Sequence, residues 1–284
     1  MSRRRGSGIG NRGSGIAREA TKPRPRKRFG QHFLEKPWVD KLIASLDASP
    51  DDTFLEIGPG RGALTRPLAP RVHEVIAVEI DRDLAASLPA EVPPNVRVVH
   101  ADFLEVSLDD LLQDTPLPAR VVGNLPYNVS SPILFKLLDA ARDGHRFRDA
   151  TLMLQKEVAD RLVAQPGTSE YGTLAIQVAL VADVDRMLTL PPGAFRPPPR
   201  VTSAVVRLRF HPPAADVGDR ATFERIVRGV FLQRRKTLGN ALKPVASSLG
   251  QSAPELLERA GLDESRRPEA LTVAEIARLS KAVL

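Results

Sequence analysis

A glycine-rich turn between an apolar run and a helical pattern constrains the fold of this chain more than any other feature. The apolar run begins at Phe54-Leu55, the turn is Gly58-Pro59-Gly60-Arg61-Gly62, and the helical pattern continues through Ala63-Leu64-Thr65. A strand, a glycine turn and a helix in this order are typical of a parallel α/β sheet that binds a nucleotide-like ligand. Glycine in the turn lets the backbone approach that ligand closely.

Strand and helix patterns alternate from about residue 53 to residue 164. Strands are predicted near residues 53–57, 74–80, 96–100, 119–123 and 150–154, and helices near 62–69, 82–88, 131–142 and 155–164. Two more strands, near 185–190 and 201–210, are expected to finish the sheet, and helices near 220–235, 238–248, 254–260 and 272–283 to follow it. The alternation predicts a parallel sheet that binds its ligands at the carboxyl ends of the strands.

Acidic residues follow the second and third predicted strands. Glu79 comes after the apolar residues 75–78, and Asp102 after the strand pattern at 96–100. A carboxylate at the first of these positions can accept hydrogen bonds from both hydroxyls of a ribose, so Glu79 is predicted to contact a ribose. Asp102 is predicted to accept a hydrogen bond from an adenine amino group, with Phe103 near the ring.

The segment Gly123-Asn124-Leu125-Pro126-Tyr127 follows the fourth predicted strand. Asn124 offers an amide oxygen, and the carbonyls of Leu125 and Pro126 are expected to lie outside any helix, because the residue before a proline is extended. Tyr127 adds a flat surface. Acceptors beside an aromatic ring suit a planar base with an exocyclic amine, so catalysis is predicted here. A strand end followed by a simple turn is the alternative.

The glycine turn also satisfies a dinucleotide-binding pattern. Gly58, Gly60 and Ala63 have the required spacing, and an acid follows about 20 residues later. An NAD-dependent oxidoreductase is therefore an alternative. Acids after two strands and the Asn-Leu-Pro-Tyr loop count against it, because a nicotinamide site has no evident use for that loop.

Five motifs, in this order, resemble the ribosomal RNA adenine dimethyltransferases, and in particular their bacterial small-subunit branch. They are Gly30-Gln31-His32-Phe33-Leu34, Glu56-Ile57-Gly58-Pro59-Gly60, Glu79-Ile80-Asp81-Arg82, Gly123-Asn124-Leu125-Pro126-Tyr127-Asn128 and Phe195-Arg196-Pro197-Pro198-Pro199-Arg200-Val201-Thr202-Ser203. The resemblance runs from about residue 28 to near the C-terminus. It implies a Rossmann-like class I methyltransferase domain over residues 29–211 and a small all-helical RNA-binding domain over residues 212–284.

The resemblance also implies a cofactor, S-adenosyl-L-methionine, and a substrate. The implied cofactor contacts are His32, Leu34, Gly58, Gly60, Glu79, Asp102 and Asn124. The implied reaction is dimethylation of the N6 amino groups of two adjacent adenines, in a hairpin near the 3′ end of small-subunit rRNA, by a monomeric enzyme that acts on the assembling small ribosomal subunit.

Composition limits the remaining possibilities. With 284 residues, of which 42% are apolar, the chain can bury one substantial core and a smaller second one. It has no cysteine, which excludes disulfides, a thiolate nucleophile and a cysteine-based zinc site. The five histidines lack metal-ligand spacing, so no metal is expected. No apolar run approaches a membrane span, and a reducing cytoplasm is the expected location.

The net charge of +7 is unevenly placed. Residues 1–28 contain ten Lys or Arg and one Glu, which leaves 31 basic and 33 acidic residues in the rest of the chain. This tail is rich in Gly, Ser and Arg without apolar periodicity, so it is predicted to be disordered. Nonspecific RNA binding and an inert solubilising extension are both possible roles for it.

A run of basic residues without an intervening acid is predicted to contact RNA. The run contains Arg225, Arg228, Arg234, Arg235, Lys236 and Lys243. On a helix, Phe223, Ile226, Val227, Val230 and Phe231 would form the buried stripe. Much of the basic set would then face outward, where it can contact the RNA backbone. An ordinary solvated helix face is the alternative.

The proline-rich segment at residues 191–199 is too stiff for a flexible linker, and it is expected to hold Phe195 in a fixed position. Phe195 is expected to stack on the target adenine opposite Tyr127. The alternative is that Phe195 fills the core beneath a rigid loop.

The primary hypothesis is thus an S-adenosylmethionine-dependent RNA adenine dimethyltransferase acting on small-subunit rRNA. The alternatives are a large-subunit rRNA or DNA N6-adenine methyltransferase, the NAD enzyme, and a noncatalytic ribosome-assembly or transcription factor on the same fold.

Overall fold

The strands form one large sheet and one two-stranded ribbon in a computed structural model that describes residues 32–142 and 146–283. The predicted disordered tail, residues 1–28, lies outside the described residues. The strands are β1 (Phe33–Leu34), β2 (Thr53–Ile57), β3 (Glu74–Glu79), β4 (Val96–His100), β5 (Ala119–Asn124), β6 (Phe147–Gln155), β7 (Ala182–Leu190), β8 (Phe195–Arg196) and β9 (Ser203–Phe210).

The large sheet has the order β4-β3-β2-β5-β6-β9-β7. Strands β2 to β6 are parallel, and β9 runs antiparallel to both β6 and β7. The chain moves outward from β2 through β3 to β4 and then crosses back to place β5 on the other side of β2. Ligands of open α/β sheets bind at such a reversal of strand order, beyond the carboxyl ends.

Eleven α-helices of the described segments cover the two faces of the sheet and extend beyond it. They are α1 (Lys36–Ser45), α2 (Thr65–Leu68), α3 (Arg82–Ser87), α4 (Leu108–Leu111), α5 (Ser130–Ala141), α6 (Lys156–Leu162), α7 (Thr173–Ala179), α8 (Arg220–Phe231), α9 (Leu238–Ser248), α10 (Ala253–Ala260) and α11 (Val273–Lys281). Short 3₁₀ turns occupy Ala69–Arg71, Leu88–Glu91, Pro192–Ala194 and Pro268–Ala270.

Most predicted elements are present, but one helix starts later than predicted, and five elements were not predicted: β1, β8, α1, α4 and α7. The helix predicted from residue 62 begins only at Thr65, because Gly62 adopts a left-handed conformation with φ of 73° and cannot continue a right-handed helix. Helix α1 was not predicted. It begins beside Pro37, a residue favoured in the first helical turn, and buries Val39, Leu42 and Ile43 on one face.

The core does not divide at the predicted domain boundary. One apolar cluster joins the sheet and α5 to the C-terminal helices, and Phe223 and Ile226 of α8 are fully buried within it. Tyr171, before α7, donates a hydrogen bond from its hydroxyl to the carbonyl of Leu271 at 2.8 Å. The second cluster lies on the opposite face of the sheet, beneath α1 and α2. The helical segment therefore shares its main core with the sheet.

A buried ion cluster fixes the start of β5. Arg120 donates to both carboxylate oxygens of Asp149 at 3.0 and 3.1 Å and to Asp52 at 2.9 Å. It also donates to the carbonyl of Leu46 at 2.7 Å. Removing one partner of such a cluster leaves an uncompensated buried charge, so the cluster strongly constrains the register of the strand that ends at Asn124.

Candidate active site

One cavity at the carboxyl ends of the strands collects the predicted catalytic and cofactor-binding residues, except for Phe195. Its lining includes His32, Leu34, Gly58, Gly60, Glu79, Asp102, Asn124, Leu125, Pro126 and Tyr127. These residues come from β1 and the residue before it, and from the carboxyl ends of four adjacent parallel strands. The sheet topology thus brings together four motifs that are widely separated in sequence.

The glycine turn forms one wall of the cavity. Gly58 and Gly60 have φ angles of 70° and 57°, which side-chain-bearing residues rarely adopt. A Cβ on Gly60 would also lie only 3.2 Å from the ring of Phe33. The amide of Gly60 donates to Glu79 Oε2 at 2.8 Å, so the turn and the next strand are joined directly.

Glu79 is held in place by backbone donors. Its second oxygen, Oε1, accepts from the amide of Asp81 at 2.8 Å. Each carboxylate oxygen keeps further acceptor capacity, which is compatible with the predicted contact to ribose hydroxyls. Burial raises the pKa of Glu79, although its hydrogen bonds from backbone amides act in the opposite direction.

Glu56 is a second buried carboxyl in the cavity wall, and no role was predicted for it. It is 1% exposed and accepts a hydrogen bond from Thr65 Oγ1 at 2.6 Å. Burial raises its pKa to about 7, and the nearby charge of Glu79 adds to the shift. The sequence contains Glu56 within the glycine motif, but nothing in that motif distinguishes its titration from that of an ordinary glutamate.

The loop that carries Asp102 is braced from α5. Asp102 Oδ1 accepts from the amide of Leu104 at 2.8 Å, and Phe103 is buried in the cavity wall. The ammonium of Lys136 donates to the carbonyls of Phe103 at 2.7 Å, Leu104 at 3.1 Å and Val106 at 2.5 Å. Lys136 was not predicted to take part in the site, because the sequence does not show which loop its helix packs against.

Asn124 is oriented by a partner far away in sequence. Its Nδ2 donates to the carbonyl of His32 at 2.8 Å, and its Oδ1 is the remaining acceptor of the amide. Gly123 precedes it where β5 packs tightly, since a Cβ there would lie 2.9 Å from Leu125 Cδ2 and 3.0 Å from the carbonyl oxygen of Ile57. The glycine of the motif therefore permits close packing of the loop.

The carbonyl of Pro126 lies outside any helix, but it already has a local donor. It accepts from the amide of Val129 at 3.1 Å as the chain turns toward α5. The carbonyl of Leu125 and the Oδ1 of Asn124 are thus the better candidates to accept hydrogen bonds from an amine.

Tyr127 lies beside these acceptors with its hydroxyl fixed. Its oxygen is 2.6 Å from Ser203 Oγ, and Ser203 is fully buried at the start of β9. The ring stacks with that of His32 at a centroid distance of 5.9 Å, and His32 Nδ1 lies 2.8 Å from the carbonyl oxygen of Pro197. Burial raises the pKa of Tyr127, which keeps the phenol neutral. Ser203 belongs to a quoted motif, but its pairing with Tyr127 was not predicted.

Phe195 does not lie on the wall of the cavity. It is 2% exposed and packs in the second apolar cluster, in β8 opposite Leu34. Stacking of a base on Phe195 would require the ring to leave this packing, so the geometry favours the alternative in which it fills the core.

The predicted RNA-binding residues lie on and after α8, with different surroundings. Phe223, Ile226, Val227 and Val230 form the buried stripe, whereas Phe231 is half-buried against Tyr171. Four exposed basic residues make no contact with another segment of the described chain; Arg228 and Lys243 have partners only within their own helices. These are Arg228, Arg235, Lys236 and Lys243.

The other two basic residues brace the fold. Arg225 donates to the carbonyl of Ser248 at 2.7 Å. Arg234 donates to the carbonyl of Ser169 at 2.8 Å and to Glu269 at 3.3 Å. Arg234 therefore connects the basic run to the segment before α7.

No helix in residues 32–142 or 146–283 is long and apolar enough to cross a membrane. Within the same ranges, His, Asp and Glu side chains form no group of three or more that could hold a metal ion.

Comparison with known proteins gives a consistent result. The family model described as "Ribosomal RNA adenine dimethylase" matches residues 23–283. The chain is 45% identical over 260 residues to "Ribosomal RNA small subunit methyltransferase A" of Acinetobacter baylyi, which covers 90% of this chain and 91% of the relative. It is also 45% identical over 281 residues to the protein of that name from Geobacter metallireducens, with 96% and 98% coverage.

Two solved structures agree. A dimethyladenosine transferase from Plasmodium falciparum superposes with a TM-score of 0.74 at 27% identity, covering 87% of this chain and 96% of that one. The 23S rRNA methyltransferase ErmE superposes with a TM-score of 0.62 at 27% identity, covering 88% and 99%. The predicted resemblance and the Rossmann-like methyltransferase fold with a helical C-terminal part are confirmed. The chain belongs to the ribosomal RNA adenine dimethylase family and is an rRNA adenine methyltransferase.

Proposed function

We propose that this protein uses S-adenosyl-L-methionine to dimethylate the N6 amino groups of two adjacent adenines, in a hairpin near the 3′ end of small-subunit rRNA, during assembly of the small ribosomal subunit. The observation that carries the proposal is the hydrogen bond from Asn124 Nδ2 to the carbonyl of His32. It fixes the amide of Asn124 in the wall of a cavity that also contains Glu79 and Asp102.

The residues of the cavity fit the proposed cofactor. The positive φ angles of Gly58 and Gly60 give a backbone cradle without side chains, and the anchored carboxylate of Glu79 suits a ribose diol. Asp102 and the buried Phe103 suit an adenine ring and its amino group. When bound, S-adenosylmethionine supplies an electrophilic methyl group on a sulfonium.

The loop of β5 is suited to orient an adenine amine. The lone pair of this amine is delocalised into the ring, which makes it a poor nucleophile. Asn124 Oδ1 and the carbonyl of Leu125 accept its two N–H groups and draw the lone pair out of conjugation. The ring of Tyr127 supports the face of the base. No general base is required before attack, because the nitrogen becomes acidic only as its new bond forms.

Labelled cofactor tests the reaction and its substrate. Purified protein is incubated with it and with unmethylated small-subunit particles, large-subunit rRNA or duplex DNA. We expect label only in the small-subunit RNA, recovered as N6,N6-dimethyladenosine. Label in large-subunit rRNA or in DNA would assign the chain to the corresponding alternative. No transfer to any of the three would leave a noncatalytic assembly role.

The basic residues after α8 are proposed to contact the RNA backbone. Because Arg234 braces the fold, the test variant is Arg235→Glu/Lys236→Glu, with Arg234 unchanged. We expect weaker RNA binding. The slope of log affinity against log salt concentration should also become shallower, by about 0.7 to 0.9 for each lost phosphate contact. The matched control is Arg259→Glu/Arg278→Glu, which reverses two exposed arginines of the same helical segment. Equal RNA affinity of the two double variants would contradict the proposal.

A further inference from the structure

A second cavity opens beside the candidate active site. It is lined by Phe33, Leu34, Glu35, Lys36, Arg61, Arg196 and Pro197, and it shares Phe33 and Leu34 with the main cavity. Three of these side chains are cations and one is a carboxylate. The cavity is therefore a cationic recess that is separated from the main cavity by one short strand.

The fold brings the three cations together from distant parts of the chain. Antiparallel pairing of β1 with β8 sets Phe33 opposite Arg196, and Lys36 follows at the start of α1. Arg61 comes from the glycine turn, and its guanidinium lies 4.5 Å from the centroid of the Phe33 ring. Phe33 thus has Arg61 over its face and Arg196 as its strand partner, which concentrates positive charge at the shared wall.

The carboxylates near this recess leave Lys36 and Arg196 available to an anion. Arg196 Nε donates to Glu35 at 3.0 Å, and Lys36 pairs with Asp40 at 2.9 Å. The side chains of Lys36 and Arg196 are 83% and 80% exposed. Exposed pairs of this kind contribute little to stability, so a phosphate can share or replace them. A guanidinium also has five donors, of which a single carboxylate uses at most two.

The geometry points to this recess as a subsite for an RNA phosphodiester next to the target adenosine. A base that enters the main cavity leaves its ribose and flanking phosphates outside it, and Phe33 and Leu34 line both the main cavity and the recess. Two contacts link the recess to the catalytic loop, since the carbonyl of His32 holds Asn124 and the ring of His32 bonds to Pro197. A phosphate held here fixes the RNA strand relative to Asn124, which accepts a hydrogen bond from the adenine amine.

The inference rests on the proposed function, so its test uses RNA and cofactor separately. The variant is Lys36→Gln/Arg61→Gln, and Arg196→Gln is a second, independent variant. The matched control is Lys41→Gln/Arg82→Gln, which removes one exposed lysine of the same helix and one exposed arginine outside the recess. Affinity for unmethylated small-subunit particles is measured against salt concentration, and cofactor affinity by calorimetry.

We expect about tenfold weaker RNA binding at ~0.1 M salt for the double variant and a salt slope lower by about 1.4, as for two contacts to single-stranded RNA. Cofactor affinity should stay within about twofold of the parent protein, and the control should match the parent in both measurements. Ethylation of the RNA phosphates next to the target adenines should block binding of the parent protein. The same ethylation should have little further effect on the double variant.

Three outcomes would overturn the proposal of a phosphate subsite. The first is an unchanged RNA affinity and salt slope in both recess variants. The second is a loss of cofactor affinity with no separate loss of RNA affinity, which would assign the recess to an anionic group of the cofactor. The third is calorimetric binding of inorganic phosphate that the variant loses while RNA affinity is kept. Failure of the parent protein to methylate small-subunit RNA would instead overturn the proposed function.

Discussion

The Nδ2 of Asn124 lies 2.8 Å from the carbonyl oxygen of His32, although 92 positions separate the two residues. An asparagine amide can rotate to exchange its oxygen and nitrogen, and this contact selects one of the two orientations because a carbonyl accepts only from NH2. The Oδ1 is consequently committed to the role of acceptor. The segment that leads into β1 therefore orients the Asn124 side chain as well as lining the cavity.

Replacing Asn124 should slow methyl transfer, because the side chain orients the adenine amine. Asn124→Ala removes the acceptor, and we expect kcat to fall by about 100-fold or more, as for loss of one preorganised group in an active site. His32→Ala keeps the backbone carbonyl and should cost much less. Single-turnover methyl transfer to small-subunit particles measures both. A near-normal rate for Asn124→Ala would remove this residue from the reaction.

The ring of Tyr127 should matter more than its hydroxyl. Tyr127→Phe loses one hydrogen bond to Ser203, worth about 1 kcal/mol, but keeps the flat surface. Tyr127→Ala loses the surface, and stacking on an aromatic ring is worth about 1–3 kcal/mol per base. We expect kcat/KM for RNA to fall less than about tenfold in the first variant and substantially more in the second. Equal losses would indicate a chemical role for the phenol.

Local patterns predicted much of the fold because strand positions depend on short apolar runs. Strands β2 and β4 and helix α9 have the predicted bounds. Strand ends also predicted Glu79 and Asp102, since parallel strands share one carboxyl edge. The shared lining of the cavity by these residues could therefore be expected before the structure was known.

The contacts that orient the site could not be predicted in this way. Ser203 meets Tyr127 across 76 positions, and Lys136 reaches the loop of Phe103 from a different helix. Neither pairing leaves a periodic signal, because each depends on which face of an element the topology turns toward the loop. For Phe195, by contrast, a local pattern led to the wrong environment. The stiff proline segment predicted that the ring is exposed to the substrate, but pairing of β8 with β1 turns the ring into the core.

Lys136 should affect cofactor binding rather than chemistry. Lys136→Met removes three hydrogen bonds that hold residues 103–106, so the dissociation constant of S-adenosylmethionine should rise about tenfold, as for loss of one charged hydrogen bond. At saturating cofactor, kcat should remain within about twofold. Lys156→Met is the control, because that lysine is exposed and pairs only locally with Asp160. An unaltered dissociation constant would contradict the bracing role.

Phe195 should behave as a core residue. Phe195→Ala is expected to lower the free energy of unfolding by about 3–5 kcal/mol, the usual result of truncating a buried aromatic side chain. Phe195→Leu fills more of the space and should cost less while keeping kcat within a few-fold. Denaturant unfolding and methyl transfer measure the two effects. A stable Phe195→Leu variant without activity would restore the stacking role instead.

Glu56 should make the stability of the fold depend on pH near neutrality. Its pKa is about 7 in the folded chain, against 4.5 for an ordinary glutamate, because the side chain is buried beside Glu79. Below pH 4.5 both the folded and the unfolded chain hold the proton, and this stabilising contribution is fully present. Between pH 4.5 and about 7 only the unfolded chain releases the proton, so the free energy of unfolding falls as pH rises.

The expected loss from Glu56 is on the order of 3 kcal/mol, since one pKa unit corresponds to about 1.4 kcal/mol. Glu56→Gln keeps an acceptor for Thr65 but cannot ionise. Its stability relative to the parent protein should therefore rise from near zero at acidic pH to its full value at pH 8, as measured by denaturant unfolding across this range. A pH-independent difference for Glu56→Gln would show that Glu56 has the same pKa in the folded and the unfolded chain, and would contradict the prediction.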